Sequence, residues 1–193
     1  MSNSKIPKAI FSWLIIFSII LFVSGCARWP DGPGPEPGET DYQLKITVEV
    51  KGEINTDEGI YYIVLDADSE SIDGPVVDIN FWDDEYYYIK LENGFFYFAQ
   101  VKDDVESTFY GGSFSENKLQ VTITLSDLGD PKSIDINVVT TDSDNYTYDS
   151  LDSYFSISTD FGSSKDIPDS EGDSGDGGVD LDLVKVTTQI IIP

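Results

Sequence analysis

From residue 41 onward, apolar and polar residues alternate with a period of two, not the period of about 3.6 that marks an amphipathic helix. Leu44, Ile46, Val48 and Val50 alternate with Lys45, Thr47 and Glu49. Leu119, Val121, Ile123 and Leu125 alternate with Gln120, Thr122 and Thr124, and Ile134, Ile136 and Val138 are set against Asp135 and Asn137. Each pattern describes a strand with one buried face. Residues 59–66, 76–82, 86–91, 95–101, 153–159 and 179–192 are further runs rich in aromatic and β-branched side chains, the residues that fit a pleated surface. Turn signals separate them: Glu92-Asn93-Gly94, Gly111-Gly112 and Gly129-Asp130-Pro131. Asn93-Gly94 between two apolar runs is the strongest hairpin signal. No segment carries a sustained helical stripe. The pattern predicts an all-β protein, a single antiparallel two-sheet β-sandwich of about nine strands over residues 41–193, with 163–178 as an acidic, flexible loop.

The first forty residues follow another rule. Lys5 and Lys8 precede an apolar stretch, residues 9–23, that ends in Val23-Ser24-Gly25-Cys26. This resembles the lipobox of bacterial lipoproteins, in which small residues admit the extended backbone to the signal peptidase and the cysteine thiol carries a diacylglycerol. The resemblance implies a signal peptide over residues 1–25 and lipidation, with palmitate-type chains, at Cys26. The apolar run falls short of the ~18–20 residues that a spanning helix wants. Residues 26–40, with ARWPDGPGPEPGET after the cysteine, form a Pro/Gly-rich linker that resists helix and sheet. The expected location is extracytoplasmic, lipid-anchored to the bacterial cell membrane, or to the outer membrane in a Gram-negative host.

Charge narrows the partners. Eleven Lys+Arg stand against 36 Asp+Glu, a net charge of −25, and loss of Lys5 and Lys8 makes the body more acidic still. Phosphate binding needs cationic partners, so nucleic acid is excluded. Cys26 is the only cysteine, which rules out an intrachain disulfide or a thiolate metal cluster. The chain has no histidine, so it has neither a Ser-His-Asp triad nor an imidazole metal ligand. Carboxylate pairs suited to glycoside hydrolysis are too numerous to single one out. The expectation is no enzyme and no catalytic residue.

Three stretches carry a further resemblance. Residues 61–68, YYIVLDAD, give a strand followed by Asp-x-Asp, and residues 121–129, VTITLSDLG, give a strand ending in Ser-x-Leu-Gly. Residues 134–142, IDINVVTTD, supply the next strand. Together they resemble the DOMON-like β-sandwiches, which include the family-nine carbohydrate-binding modules, over residues 42–160. That resemblance implies non-catalytic binding of sugar or haem. Haem ligation is closed, since histidine is missing and Met1 falls within the signal.

Two groups of residues can carry binding. Trp82, Tyr86, Tyr88 and Tyr110 offer flat rings that stack on sugar faces, although strands also use tyrosine as core filler. Of these, Trp82, beside Asp83-Asp84-Glu85, is the one expected to be exposed. Asp66, Asp68, Asp142 and Asp144 set carboxylates at alternate positions in loops after strands, a pattern suited to a structural calcium ion but equally to ordinary turns. Neither loop is an EF-hand; counted from Asp66, Ser71 and Val77 stand at the sixth and twelfth positions, where glycine and glutamate belong. The functional expectation is a membrane-anchored lipoprotein with a glycan-binding module. Its rival is a structural or protein-interaction component of the cell envelope with no small ligand. Solute capture for a transporter is disfavoured, since such receptors are larger and two-lobed.

Overall fold

A computed structural model describes residues 41–68, 74–103, 105–170 and 177–193. The expected signal peptide (residues 1–25), Cys26 and the expected linker (to residue 40) lie outside the described residues. Residues 40–193 form one compact unit. Its twelve strands, among the described residues, are β1 (Gln43–Val50), β2 (Ile60–Asp66), β3 (Tyr87–Glu92), β4 (Phe95–Gln100), β5 (Ser107–Thr108), β6 (Gly112–Ser115), β7 (Lys118–Thr124), β8 (Ser133–Thr141), β9 (Thr147–Ser150), β10 (Phe155–Ser158), β11 (Ser164–Pro168) and β12 (Leu183–Ile191).

The strands make two antiparallel sheets. The five-stranded sheet runs β11-β12-β1-β7-β6, and the seven-stranded sheet runs β10-β8-β2-β3-β4-β5, with β9 also pairing with β8. This is the expected all-β, two-sheet architecture. Alternation dictates the core between the sheets. Leu44, Ile46, Val48, Leu119, Val121, Ile123, Val186 and Ile190 project from one sheet onto Ile63, Leu65, Ile89, Leu91, Ile134, Ile136 and Val138 of the other, each almost fully buried. The β3–β4 hairpin turns at Asn93 and Gly94, whose φ angles of 50° and 81° are both positive. A type I′ turn requires that pair of signs, which is why Asn-Gly sits there.

Four short strands fall outside the expected set: β5, β6, β9 and β11. All are polar edge pieces that owe their conformation to a neighbour's backbone. β11 lies inside residues 163–178, expected as loop, because the free side of β12 pairs with Ser164–Pro168. Gly111-Gly112 is more than a turn: there the chain leaves β5 in one sheet for β6 in the other. A Cβ on Gly112 would run into the Phe96 ring, and one on Gly111 into the Thr122 carbonyl.

The expected strand over residues 76–82 does not form. Asp78 accepts hydrogen bonds from the Asn80 backbone N–H and side-chain amide, both at 2.9 Å, and a 3-10 helix, Ile79–Phe81, follows. A short acidic side chain competes with the ladder for these donors and favours the turn.

Candidate functional site

β2 is buried along its whole length. Its alternate residues Tyr61, Ile63 and Leu65 enter the core, while Ile60, Tyr62 and Val64 face outward and build a second apolar cluster with Tyr86 and Val139. The β2–β3 connection covers that cluster. Buried Asn137 fixes it in place by donating to the Pro75 carbonyl at 2.9 Å and accepting from the Val138 N–H at 2.8 Å. The Trp82 Nε1 donates to the Val76 carbonyl at 2.8 Å. Trp82 then packs edge-on against Tyr62 (centroids 5.4 Å apart) and tilted against Tyr88 (5.9 Å). The expectation that Trp82 stands exposed is therefore corrected to half-buried: the outward apolar face of β2 holds one side of the indole.

Beside Trp82 the acidic turn folds back on the end of β4. Val101 N–H donates to the Tyr86 carbonyl at 2.8 Å, Lys102 N–H to the Asp84 carbonyl at 3.1 Å, and Gln100 Nε2 to the Glu85 carbonyl at 3.1 Å. The result is a depression of about 450 Å³ lined by Asp68, Trp82, Asp83, Asp84, Glu85 and Tyr86. A second hollow of about 240 Å³ adjoins it through Asp68 and Glu85 and reaches Gln100, Lys102 and Leu128. The Asp68 carboxylate, hydrogen-bonded to Glu85 and repelling it, pushes the Glu85 carboxyl above its usual range. Burial, with Asp83 and Asp66 close by, does the same to the Tyr86 phenol. Crowded carboxylates of this kind offer acceptors to hydroxyl donors and to cations alike.

From Trp82 the surface continues along the outer face of β3 and β4. Lys90 bridges Glu106 at 2.8 Å and Glu92 at 3.1 Å, and its ammonium stands 5.2 Å from the Tyr97 ring centroid. Tyr88 donates to Glu106 at 2.9 Å. Burial alone would lower the Lys90 ammonium, but the hydrogen bonds to Glu106 and Glu92 outweigh it and hold the group above its ordinary range. Burial and Glu106 together raise the Tyr88 phenol. Glu92 pairs across the ladder with Phe95, whose ring is 61% exposed.

The expected site residues thus divide. Trp82, Tyr86 and Asp68 share one depression, Asp66 closes β2 beside it, and Tyr88 adjoins through Trp82. Tyr110 stands apart, 92% exposed, between β5 and β6. Asp142 and Asp144 lie at the opposite end of the seven-stranded sheet, because Thr141 pairs with Ile60 while Asp135 pairs with Asp66. The six steps of β2 between those pairs span about 20 Å. There the Asp142 carboxylate organises the β8–β9 turn, accepting from the Asp144 and Tyr146 N–H groups at 2.8 and 2.9 Å and from the Tyr148 hydroxyl at 3.5 Å. Among the described residues, no group of three or more carboxylates is arranged to hold a metal ion.

Lys90, Glu92, Phe95, Tyr97 and Glu106 were not foreseen as site residues. Aromatics of both parities in Phe95-Phe96-Tyr97-Phe98 are the signal that could have revealed the outward pair, since alternation must send two of the four to solvent. No pattern marks Glu106, which arrives from a loop. Comparison with protein-family models, with curated proteins and with solved structures finds no match to this chain.

Proposed function

We propose that this chain is a membrane-anchored extracytoplasmic lipoprotein whose sandwich is a non-catalytic, glycan-binding module. One observation carries the binding half of that reading: Trp82 and the largely buried Tyr86 line the same depression as Asp68, Asp83, Asp84 and Glu85. An aromatic surface meets the apolar face of a sugar ring, and carboxylates accept from its hydroxyls. The resemblance to DOMON-like sandwiches points the same way. The anchoring half rests on Val23-Ser24-Gly25-Cys26 and the linker after it.

A glycan-array screen of residues 41–193, followed by titration of the saccharides it finds, tests the binding half. Trp82→Ala and Asp68→Asn are expected to weaken binding at least tenfold, about 1.4 kcal/mol. An array on which nothing is retained refutes it. Cys26→Ser is expected to release the protein from membranes or stall its processing. Continued membrane retention after normal cleavage refutes the anchor.

A second reading, an envelope assembly component, is favoured by a separate patch. Tyr42 and Phe161 stack 6.0 Å apart beside the end of β12, with Phe161 60% and Ile192 48% exposed. Purified protein that self-associates or captures an envelope partner through this patch, and binds no saccharide, would favour it.

A further inference from the structure

The depression does not end at Trp82. Tyr88 touches its indole, Lys90 follows on the same face of β3, and Glu92 comes next, paired across the hairpin with the exposed Phe95. From Tyr87 to Glu92 the strand runs about 17 Å, long enough for several sugar rings in a row. The outward residues along it alternate in character. Rings stand at the two ends, Trp82 and Phe95, and hydrogen-bonding groups lie between them, on Tyr88, Glu92 and Glu106. The single cation of this face, among the described residues of β3 and β4, is Lys90, and Glu92 and Glu106 already neutralise it. The depression adds Asp68, Asp83, Asp84 and Glu85. A uronic-acid or sulfated polymer would meet repulsion along most of the track, since the one other cation close to it among the described residues, Lys102, lies in the adjoining hollow among Asp68 and Glu85.

Resting on the glycan reading above, we infer that this outer face takes a linear, uncharged saccharide chain lying along β3 and β4, with one end of the chain at Trp82 and a more distant ring on Phe95. A site for a single terminal sugar would need the depression alone. Phe95 is the residue that separates these two modes of binding. Its ring lies on solvent rather than in the core, so its removal leaves the fold intact. Phe161, equally exposed but near Tyr42 and the end of β12, serves as the control.

The experiment is calorimetric titration of the protein with neutral cello-, malto-, xylo- and manno-oligosaccharides, each from disaccharide to hexasaccharide, and with polygalacturonate. For the series that binds, affinity is expected to rise about tenfold or more from disaccharide to hexasaccharide. Phe95→Ala is expected to abolish that rise, to leave disaccharide binding and the melting temperature unchanged, and to contrast with an inert Phe161→Ala. Affinity independent of chain length, an unaffected length dependence in Phe95→Ala, or tighter binding of polygalacturonate would overturn the chain-lying mode while leaving glycan binding standing. Failure of every saccharide would bring down both.

Discussion

The outer faces of the two sheets were built by the same alternation and ended differently. On the five-stranded sheet β1, β7 and β12 turn outward Lys45, Thr47 and Glu49, Lys118, Gln120 and Thr122, and Lys185, Thr187 and Gln189, which meet one another across the ladders. Glu49 and Lys118 pair at 3.1 Å, and Lys118 draws the Glu49 carboxyl below its usual range. This face needs nothing but water. On the seven-stranded sheet the corresponding positions hold Ile60, Tyr62, Val64 and Val139, and a loop must cover them. Apolar surface on the outside of a sheet costs free energy unless something packs on it. Here the covering segment brings with it Trp82 and the acidic turn, so the candidate site is a by-product of hiding β2.

Stability measurements can break that contrast. Tyr62, on an outer face yet only 7% exposed, should behave as a core residue. Tyr62→Ala is expected to cost ~3–5 kcal/mol in denaturant unfolding, whereas Thr47→Ala on the other outer face should stay within about 0.5 kcal/mol. Equal effects would show that the second apolar cluster is not one. A middle-sized effect belongs to Asn137→Ala, which strands the Pro75 carbonyl and frees the covering loop. About 1–3 kcal/mol of stability should go, with a red shift of tryptophan fluorescence as Trp82 becomes wetted. An unshifted spectrum would mean that the loop holds without Asn137. The smallest effect sharpens the comparison from the inner side. Thr188 is fully buried on the five-stranded sheet, and its hydroxyl has no hydrogen-bond partner among the described residues. Thr188→Val should gain ~1 kcal/mol, seen as a higher denaturation midpoint at unchanged slope.

Those inner faces were the most legible part of the chain. Leu44, Ile46, Val48 and Val50 could be assigned to the core from spacing alone, because one buried face fixes the register of a strand. Asn93-Gly94 was equally direct. Residues 76–82 misled, since Val76, Val77, Ile79 and Phe81 satisfy strand composition while Asp78 and the demand of β2 for cover decide the conformation. The ambiguity had a cause visible beforehand: Ile60-Tyr61-Tyr62-Ile63-Val64-Leu65 has no polar member, the mark of a strand buried on both sides. Half the candidate site was legible for a similar reason. Trp82, Tyr86 and Asp68 sit close to one another through a single long connection, whereas Glu106 and Lys90 meet only after β3, β4 and the following loop have been assembled.

β1 has one more consequence. It lies in the middle of its sheet, bonded to β12 on one side and β7 on the other, and the chain leads into it at Asp41. Antiparallel ladder bonds run perpendicular to the strand, so a pull along the chain at Asp41 loads both ladders at once in shear instead of peeling them bond by bond. Were residues 26–40 to tether the body as proposed, it would resist mechanical extraction better than one held by an edge strand.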